Sequence, residues 1–232
     1  MIPAGKNIRI LRKRLKIDLQ ELARRAGIGE GIIVQIENNI LMPDCEQIVK
    51  LAAALDYPVG RILTEDLEKS GELLSGFDFK MLALDIDGVL TDGGMFVTQT
   101  GDEFKKFNAK DGLAIKTLTA SGIPVAFISS GINGKIIESR AALLGVQKVY
   151  VGTWKKLEVL QKWCSEMNIH LENVAYIGDD INDLTVIQNV GLSACPSDAV
   201  PAVKAAVSLI LSTKGGKGCV REFIDTYIAE TK

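Results

Sequence analysis

Asp85 and Asp87 stand two apart in Asp85-Ile86-Asp87-Gly88-Val89-Leu90-Thr91-Asp92-Gly93. Three more carboxylates gather in Gly178-Asp179-Asp180-Ile181-Asn182-Asp183. An extended chain turns alternate residues to one side, so Asp85 and Asp87 converge if the backbone stays extended there. Carboxylates crowded in this way repel one another unless a cation neutralises them. Oxygen ligands with no neighbouring His or Cys suit Mg2+ rather than zinc. A single Asp at a strand end commonly just caps a helix or opens a turn. Two such clusters, each directly following an apolar run (MLALDI and NVAYIG), point to metal-assisted catalysis instead.

The segments around these clusters must build a sheet. MLALDI (81–86), IPVAFIS (123–129), VQKVYV (146–151), NVAYIG (173–178), GLSAC (191–195) and AVSLIL (206–211) read as strands. Stretches near 112–121, 133–144, 155–168, 181–189, 199–205 and 219–230 read as helices between and after them. Strand–helix alternation predicts an α/β domain with a parallel sheet covered on both faces, and uninterrupted apolar strands such as PVAFI agree. Both acidic clusters then fall at carboxyl ends of strands, where such sheets bind ligands. Residues 95–107, MFVTQTGDEFKKF, predict a β-hairpin turning at Gly101-Asp102.

The first 66 residues have a different grammar. Apolar residues recur at helical spacing (Ile8, Leu11, Leu15; Leu22, Ala23, Ala26; Ile33, Ile36; Ile48, Leu51, Leu55), separated by breakers. Four or five short helices are expected, with Asp18 and Asp44 as N-caps. Residues 67–78, with mixed charge and two glycines, read as a linker between a domain at 1–66 and one at 79–232.

Composition bounds the rest. The chain has 232 residues, with 27 Lys+Arg against 29 Asp+Glu and a net charge of −2. That balance gives no whole-chain attraction to nucleic acid or anionic membrane. Cys45, Cys164, Cys195 and Cys219 lie far apart, so neither a disulfide framework nor a zinc site is expected. With no signal-peptide pattern and no long apolar run, a cytoplasmic protein is expected.

DxDGVLTDG, a strand ending in Ser, a Lys in GTWKKLE, and GDDxND resemble the four motifs of the haloacid dehalogenase superfamily of phosphotransferases, across residues 79–231. The resemblance implies a Rossmann-like sheet and an aspartyl-phosphate mechanism. Asp85 would be the nucleophile and Asp87 the general acid and base. Mg2+ would be held by the Asp85 carboxylate, the Asp87 carbonyl and the Asp179 carboxylate. Ser130 would bind the phosphoryl group with the Gly131 amide, Ser129 being the competing assignment. Lys156, or less fittingly Lys155, would neutralise the phosphate, and Asp180 and Asp183 would fix the metal and the lysine.

The separations carry more. Asp85 to Ser130 is 45 residues, Ser130 to Lys156 is 26 and Lys156 to Asp179 is 23, which leaves no room for a cap domain. DGVLTDG, FKKFNAKDGLAIK, YIGDDINDL and GGKGCVREF resemble the capless phosphatases of 3-deoxy-octulosonate 8-phosphate and nonulosonate 9-phosphate. That likeness implies a phosphorylated keto sugar acid as substrate and a homo-oligomer, most simply a tetramer formed through the 95–107 hairpins. Lys110 and Arg140 match basic positions that could meet a substrate carboxylate. The stretch Ser129-Ser130-Gly131-Ile132-Asn133 lacks the Arg of the octulosonate enzymes and the Glu of the nonulosonate ones, so the sugar acid stays open.

Residues 6–63 resemble the helix-turn-helix domain of phage-repressor-type regulators, through LQELARRAGI, IxxIExN, MP and IVKLAAALDY. That implies a third helix placed in the DNA major groove. Yet Leu19, Gly29, Glu30, Gly31 and Ile32 occupy the reading positions and offer no bidentate base contact. Arg9, Arg12, Lys13, Arg14, Lys16, Arg24 and Arg25 could still touch phosphates. Two functions follow from the chain: a sugar-acid phosphatase with a helical domain for assembly or regulation, or a DNA-binding regulator that senses a sugar phosphate. Complete catalytic motifs beside a poor reading helix favour the first.

Overall fold

The computed structural model describes residues 4–64, 66–131, 134–153 and 155–228. The chain divides into two compact units, 1–72 and 73–232.

The first unit is all helical: α1 (Ala4–Arg14), α2 (Leu19–Ala26), α3 (Glu30–Glu37), α4 (Cys45–Ala54), α5 (Val59–Thr64) and the start of α6 (Leu67–Ser75). Asp18 caps α2 by accepting the Glu21 amide. Asp44 and Gln47 form a reciprocal capping box on α4. Ile8, Leu22, Ile33, Ile36, Leu51 and Ile62 form the buried centre. The stretch 67–78, expected as a linker, is helical over Leu67–Ser75. Leu67 explains the difference: it buries in the core and donates its amide to Asn7 Oδ1 at 3.3 Å.

Arg12 ties α1 to α3. Its Nε and Nη2 meet the two Glu37 oxygens at 2.6 and 2.8 Å, and Nη1 donates to the Ile17 carbonyl at 3.2 Å. Glu37 is buried, so the pair is a structural clamp and not a phosphate contact. Arg24 and Arg25 are likewise engaged, both bonded to Glu21.

The second unit carries the sheet. Its strands are β1 (Met81–Leu84), the hairpin pair β2 (Phe96–Val97) and β3 (Glu103–Phe104), then β4 (Val125–Ser129), β5 (Lys148–Val151), β6 (Val174–Ile177), β7 (Leu192–Cys195) and β8 (Leu209–Ile210). Six of them form one parallel sheet in the order β5-β4-β1-β6-β7-β8. The antiparallel hairpin stands apart and pairs Phe96 with Phe104. The chain runs outward from β1 through β4 and β5, then returns to β6 on the other side. The order therefore reverses at β1, where a parallel sheet opens a crevice at its carboxyl edge.

Alternation along the strands divides the core. Leu82, Leu84, Phe127 and Ile177 face α7 (Ala109–Ala120), α8 (Gly134–Leu144) and α12 (Cys219–Phe223). Met81, Ala83, Ala126, Ile128 and Tyr176 face α9 (Lys156–Met167), α10 (Leu184–Ile187) and α11 (Pro201–Ala206). α7 starts earlier than periodicity alone suggests, because Asn108 accepts the Lys110 amide and caps it. The expected helix over 181–189 is broken into a 3-10 turn, Ile181–Asp183, and the short α10. The last helix passes into a π-helix at Ile224–Ile228.

The Arg12–Glu37 clamp yields a prediction. Arg12→Met leaves a buried carboxylate unpaired and should cost the helical unit about 3 kcal/mol. Amide exchange across α1 and α3 of the full chain, quickening by the corresponding factor, checks it. Unchanged exchange would show the pair to be idle.

Candidate active site

Asp85 follows β1 directly and continues its pairing, donating its amide to the Ile177 carbonyl at 3.0 Å. That bond holds Asp85 extended beside the end of β6, from which Asp179 projects. Between them Gly88 turns with φ +94°, and a Cβ there would lie 2.0 Å from Asp179 Oδ2. Only glycine allows the turn and the close approach together.

Lys156, the first residue of α9, is buried beneath the two carboxylate clusters. Its Nζ lies 2.6 Å from Asp85 Oδ1 and 2.7 Å from Asp183 Oδ1. Burial lowers its proton affinity, but Asp85 and Asp183 more than offset this, so the ammonium is held above its ordinary value. Lys155 is exposed and faces Glu158 instead, so of the two candidates only Lys156 reaches the cluster.

Asp183 is fully buried and saturated. Oδ1 accepts from Lys156 and from the Tyr176 hydroxyl at 2.5 Å. Oδ2 accepts the amides of Asp179 at 2.9 Å and Asp180 at 3.3 Å. Asp180 in turn caps the 3-10 turn through the Ile181 amide. Tyr176 carries no sequence signal beyond an apolar strand position; only the fold aims its hydroxyl at Asp183.

Oxygens of Asp85, Asp179 and Asp183 lie within 4.8 Å of one another. Burial, then Asp183, push the Asp85 carboxyl well above its ordinary value despite Lys156. Burial, Asp183 and Asp180 push Asp179 up to about 7. Asp179 Oδ1 is buried with no hydrogen-bond donor. An ionised pair here needs more positive charge than Lys156 supplies, and an unsatisfied carboxylate oxygen is where a hard cation would sit. The donor set fits a divalent ion. Asp183, with both oxygens occupied by donors, is suited to hold Lys156 and the turn rather than to ligate.

Asp87 lies at the cleft edge. Its Oδ1 accepts from Lys105 Nζ at 2.5 Å and from Thr91 Oγ1 at 3.4 Å. Lys105 comes from β3's end of the hairpin, is almost wholly buried and also meets Glu103 at 2.7 Å. Neither Lys105 nor Glu103 was expected from motif spacing, because only the hairpin's fold brings them to the cleft. FKKF was visible as a basic run, but nothing in it distinguishes Lys105 from Lys106.

The cleft encloses about 290 Å³ and is lined by Asp85, Asp87, Glu103, Lys105, Ser129, Ser130, Gly131, Asp179, Asp180 and Asn182, with Met95 and Gly93 at the hairpin side. Both candidate serines are present. Ser129 is buried, and its Oγ accepts the Gly131 amide at 3.0 Å. Ser130 is exposed and accepts from Asn182 at 3.1 Å. Ile132 and Asn133 lie outside the described residues. Lys110 is exposed on the first turn of α7 and does not line the cleft. Arg140 does not line it either: it stacks 5.3 Å over the Phe107 ring and its Nη2 donates to the Asn108 carbonyl at 3.4 Å.

A family model for haloacid dehalogenase-like hydrolases matches residues 133–224, and one for a helix-turn-helix domain matches residues 5–67. The chain is 36% identical over 176 residues to the 3-deoxy-D-manno-octulosonate 8-phosphate phosphatase KdsC of Salmonella typhi, covering 76% of this chain and 90% of that one. It superposes on the crystal structure of the Yersinia pestis phosphatase of the same name with a TM-score of 0.66 and 34% identity, covering 71% of this chain and 86% of that one. The Moraxella catarrhalis phosphatase, solved in complex with a magnesium ion, a phosphate ion and a KDO molecule, matches with a TM-score of 0.62 and 29% identity over 71% of this chain and 98% of that one. Among the described residues no helix is long and apolar enough to cross a membrane. With the acidic cleft at the switch point of a parallel sheet and these relatives, the chain belongs to the haloacid dehalogenase-like hydrolases of the KdsC kind: it is a phosphomonoester hydrolase preceded by a helix-turn-helix domain.

Proposed function

We propose that this chain is a Mg2+-dependent phosphatase acting through an aspartyl-phosphate on a phosphorylated 3-deoxy keto sugar acid of the octulosonate or nonulosonate type. The observation that carries the reading is the buried ammonium of Lys156 between Asp85 and Asp183, beside an Asp179 oxygen with no donor. The substrate class comes from the named relatives.

Asp85 attacks phosphorus through a carboxylate oxygen, and the bond to the sugar oxygen breaks. Asp87 donates a proton to that leaving oxygen, then takes one from the water that attacks the phosphorus of the acyl phosphate. The second attack releases phosphate and returns Asp85. Lys105 holds the Asp87 carboxylate toward the cleft between the two steps. Lys156 keeps positive charge under Asp85 and toward the phosphoryl oxygens. Ser130, exposed at the end of β4, hydrogen-bonds those oxygens together with the Gly131 amide, which must turn from Ser129 to do so. Asp85, Asp179 and the Asp87 carbonyl would hold Mg2+, which supplies charge neutralisation between the phosphate dianion and the carboxylates. Asp180 and Asp183 fix the turn that carries Asp179. Of the two basic positions proposed for the sugar carboxylate, Lys110 stays available, whereas Arg140 is engaged with Phe107 and Asn108.

Assembly fits the same reading. Met95, Phe96, Val97 and Phe104 on the hairpin are each at least 60% exposed, an apolar surface that a homo-oligomer would cover. The helical domain then serves assembly or regulation. Arg12, Arg24 and Arg25 are taken by Glu37 and Glu21, and α3 offers Glu30, Gly31 and Ile32 where a DNA reader needs donors.

Asp85→Asn removes the nucleophile without changing volume and leaves Asp183 against Lys156, so turnover of sugar-acid phosphates should disappear while circular dichroism still reports a folded chain. Activity surviving in a clean preparation refutes the mechanism. Asp179→Asn should weaken Mg2+ binding by on the order of tenfold or more, read by calorimetric titration; an unchanged affinity assigns the metal elsewhere. Light scattering should report an oligomer, most simply a tetramer, and a fully active monomer contradicts the hairpin interface.

A further inference from the structure

The glycine-rich segment 214–218 near the carboxyl end lies far in sequence from the catalytic motifs, yet its backbone packs directly on the loop that follows Asp87. The Gly216 amide donates to the Val89 carbonyl at 2.9 Å, and Cys219 Sγ, fully buried, reaches the same carbonyl at 3.3 Å. A Cβ on Gly215 would lie 1.9 Å from the Gly88 carbonyl oxygen and 3.2 Å from that of Thr91. The two backbones touch with no room for a side chain. Gly88 is also the residue whose other side meets Asp179.

The segment is itself held from several elements. Asp198, after β7, accepts the Gly215 amide at 3.0 Å. Asn108, the cap of α7, donates to the Gly216 carbonyl at 3.3 Å. Asp111, one turn on in α7 and buried, accepts the Arg221 amide at 2.8 Å. Glu222 accepts the amides of Ser212 and Thr213 at 2.9 and 2.8 Å. A tract of three glycines that served only as a tether would not need two side chains on its own backbone and two more on its flanks.

We infer that segment 214–218 is a brace for the catalytic loop, with Gly215 and Asp198 as positioning residues. The brace fixes the backbone of 87–91 from behind, and so sets where the Asp87 and Gly88 peptide units stand relative to Asp85 and Asp179. Asp198 acts through Gly215, and Gly215 through Gly88; neither touches substrate. The role in turnover rests on the phosphatase reading, whereas the brace itself does not.

The test uses the full chain with three substitutions. Gly215→Ala pushes the loop outward and should lower kcat for p-nitrophenyl phosphate with Mg2+ by on the order of a hundredfold, with KM little changed, the size expected of a small misplacement of reacting groups. Should that variant fail to fold, the Asp198 pair decides. Asp198 is exposed, so its variants should retain the wild-type unfolding temperature. Asp198→Ala removes the acceptor, and exchange of the Leu90 and Thr91 amides should quicken by about tenfold as the loop loosens, with kcat falling in parallel. Asp198→Asn keeps an acceptor oxygen and should restore both. Unchanged exchange in Asp198→Ala overturns the brace, and so does a loss of kcat without faster exchange. If the wild-type protein hydrolyses no phosphate ester at all, the phosphatase reading fails, and the exchange comparison still decides the brace.

Discussion

Everything in the catalytic unit answers to one buried ammonium. Lys156 sits under two aspartates at 2.6 and 2.7 Å, and its attraction offsets part of the cost of holding carboxylates out of water. Removing one partner of such a group leaves an uncompensated charge, so each member must arrive on an element that cannot drift. Asp85 arrives on the central strand, Lys156 on the first turn of a helix packed across the sheet, and Asp183 on a 3-10 turn locked by its own capping box. Tyr176, from the strand between them, adds a fourth fixed group.

The charge balance of the cleft follows from that arrangement. Five carboxylates line the cleft (Asp85, Asp87, Glu103, Asp179 and Asp180), against Lys105 at the wall and Lys156 beneath. A site so anionic repels a phosphate dianion unless a cation joins it. Burial first, and the neighbouring Asp183 after it, raise the Asp85 and Asp179 carboxyls despite Lys156. Lys105 divides its charge between Asp87 and Glu103, which couples the hairpin to the edge of the cleft. The hairpin thereby supplies one wall of the cleft, through Met95, Glu103 and Lys105.

Much of this was legible in the residues. Asp85, Asp87 and Asp179 fall at strand ends, and six strands with intervening helices follow from periodicity. Lys156 was separable from Lys155 by motif spacing, and the fold buries Lys156 while leaving Lys155 exposed. What stayed hidden depends on long-range geometry. Lys105 reaches Asp87 only through the hairpin's turn, and Tyr176 reads as one more apolar strand residue. Leu67 turns an apparent linker into helix by burying in a core whose other residues run from Ile8 to Ile62. Arg12 looked like part of a basic surface, because nothing local shows that Glu37 lies opposite. Arg140 matched a basic family position, yet its own Phe107 and Asn108 hold it.

The helical domain and the sheet domain obey the same rule at different scales, in that buried charge is tolerated where a partner is fixed by packing. In the first unit the rule produces a clamp, and in the second it produces a buried ammonium held between two carboxylates. The most direct test of that central claim is to quench the wild-type enzyme with acid during turnover of a sugar-acid phosphate and map the phosphoryl group by peptide mass spectrometry. A phosphoryl adduct confined to Asp85 is the predicted result. An adduct on another residue, or turnover with none at Asp85 under conditions that preserve acyl phosphates, contradicts the account.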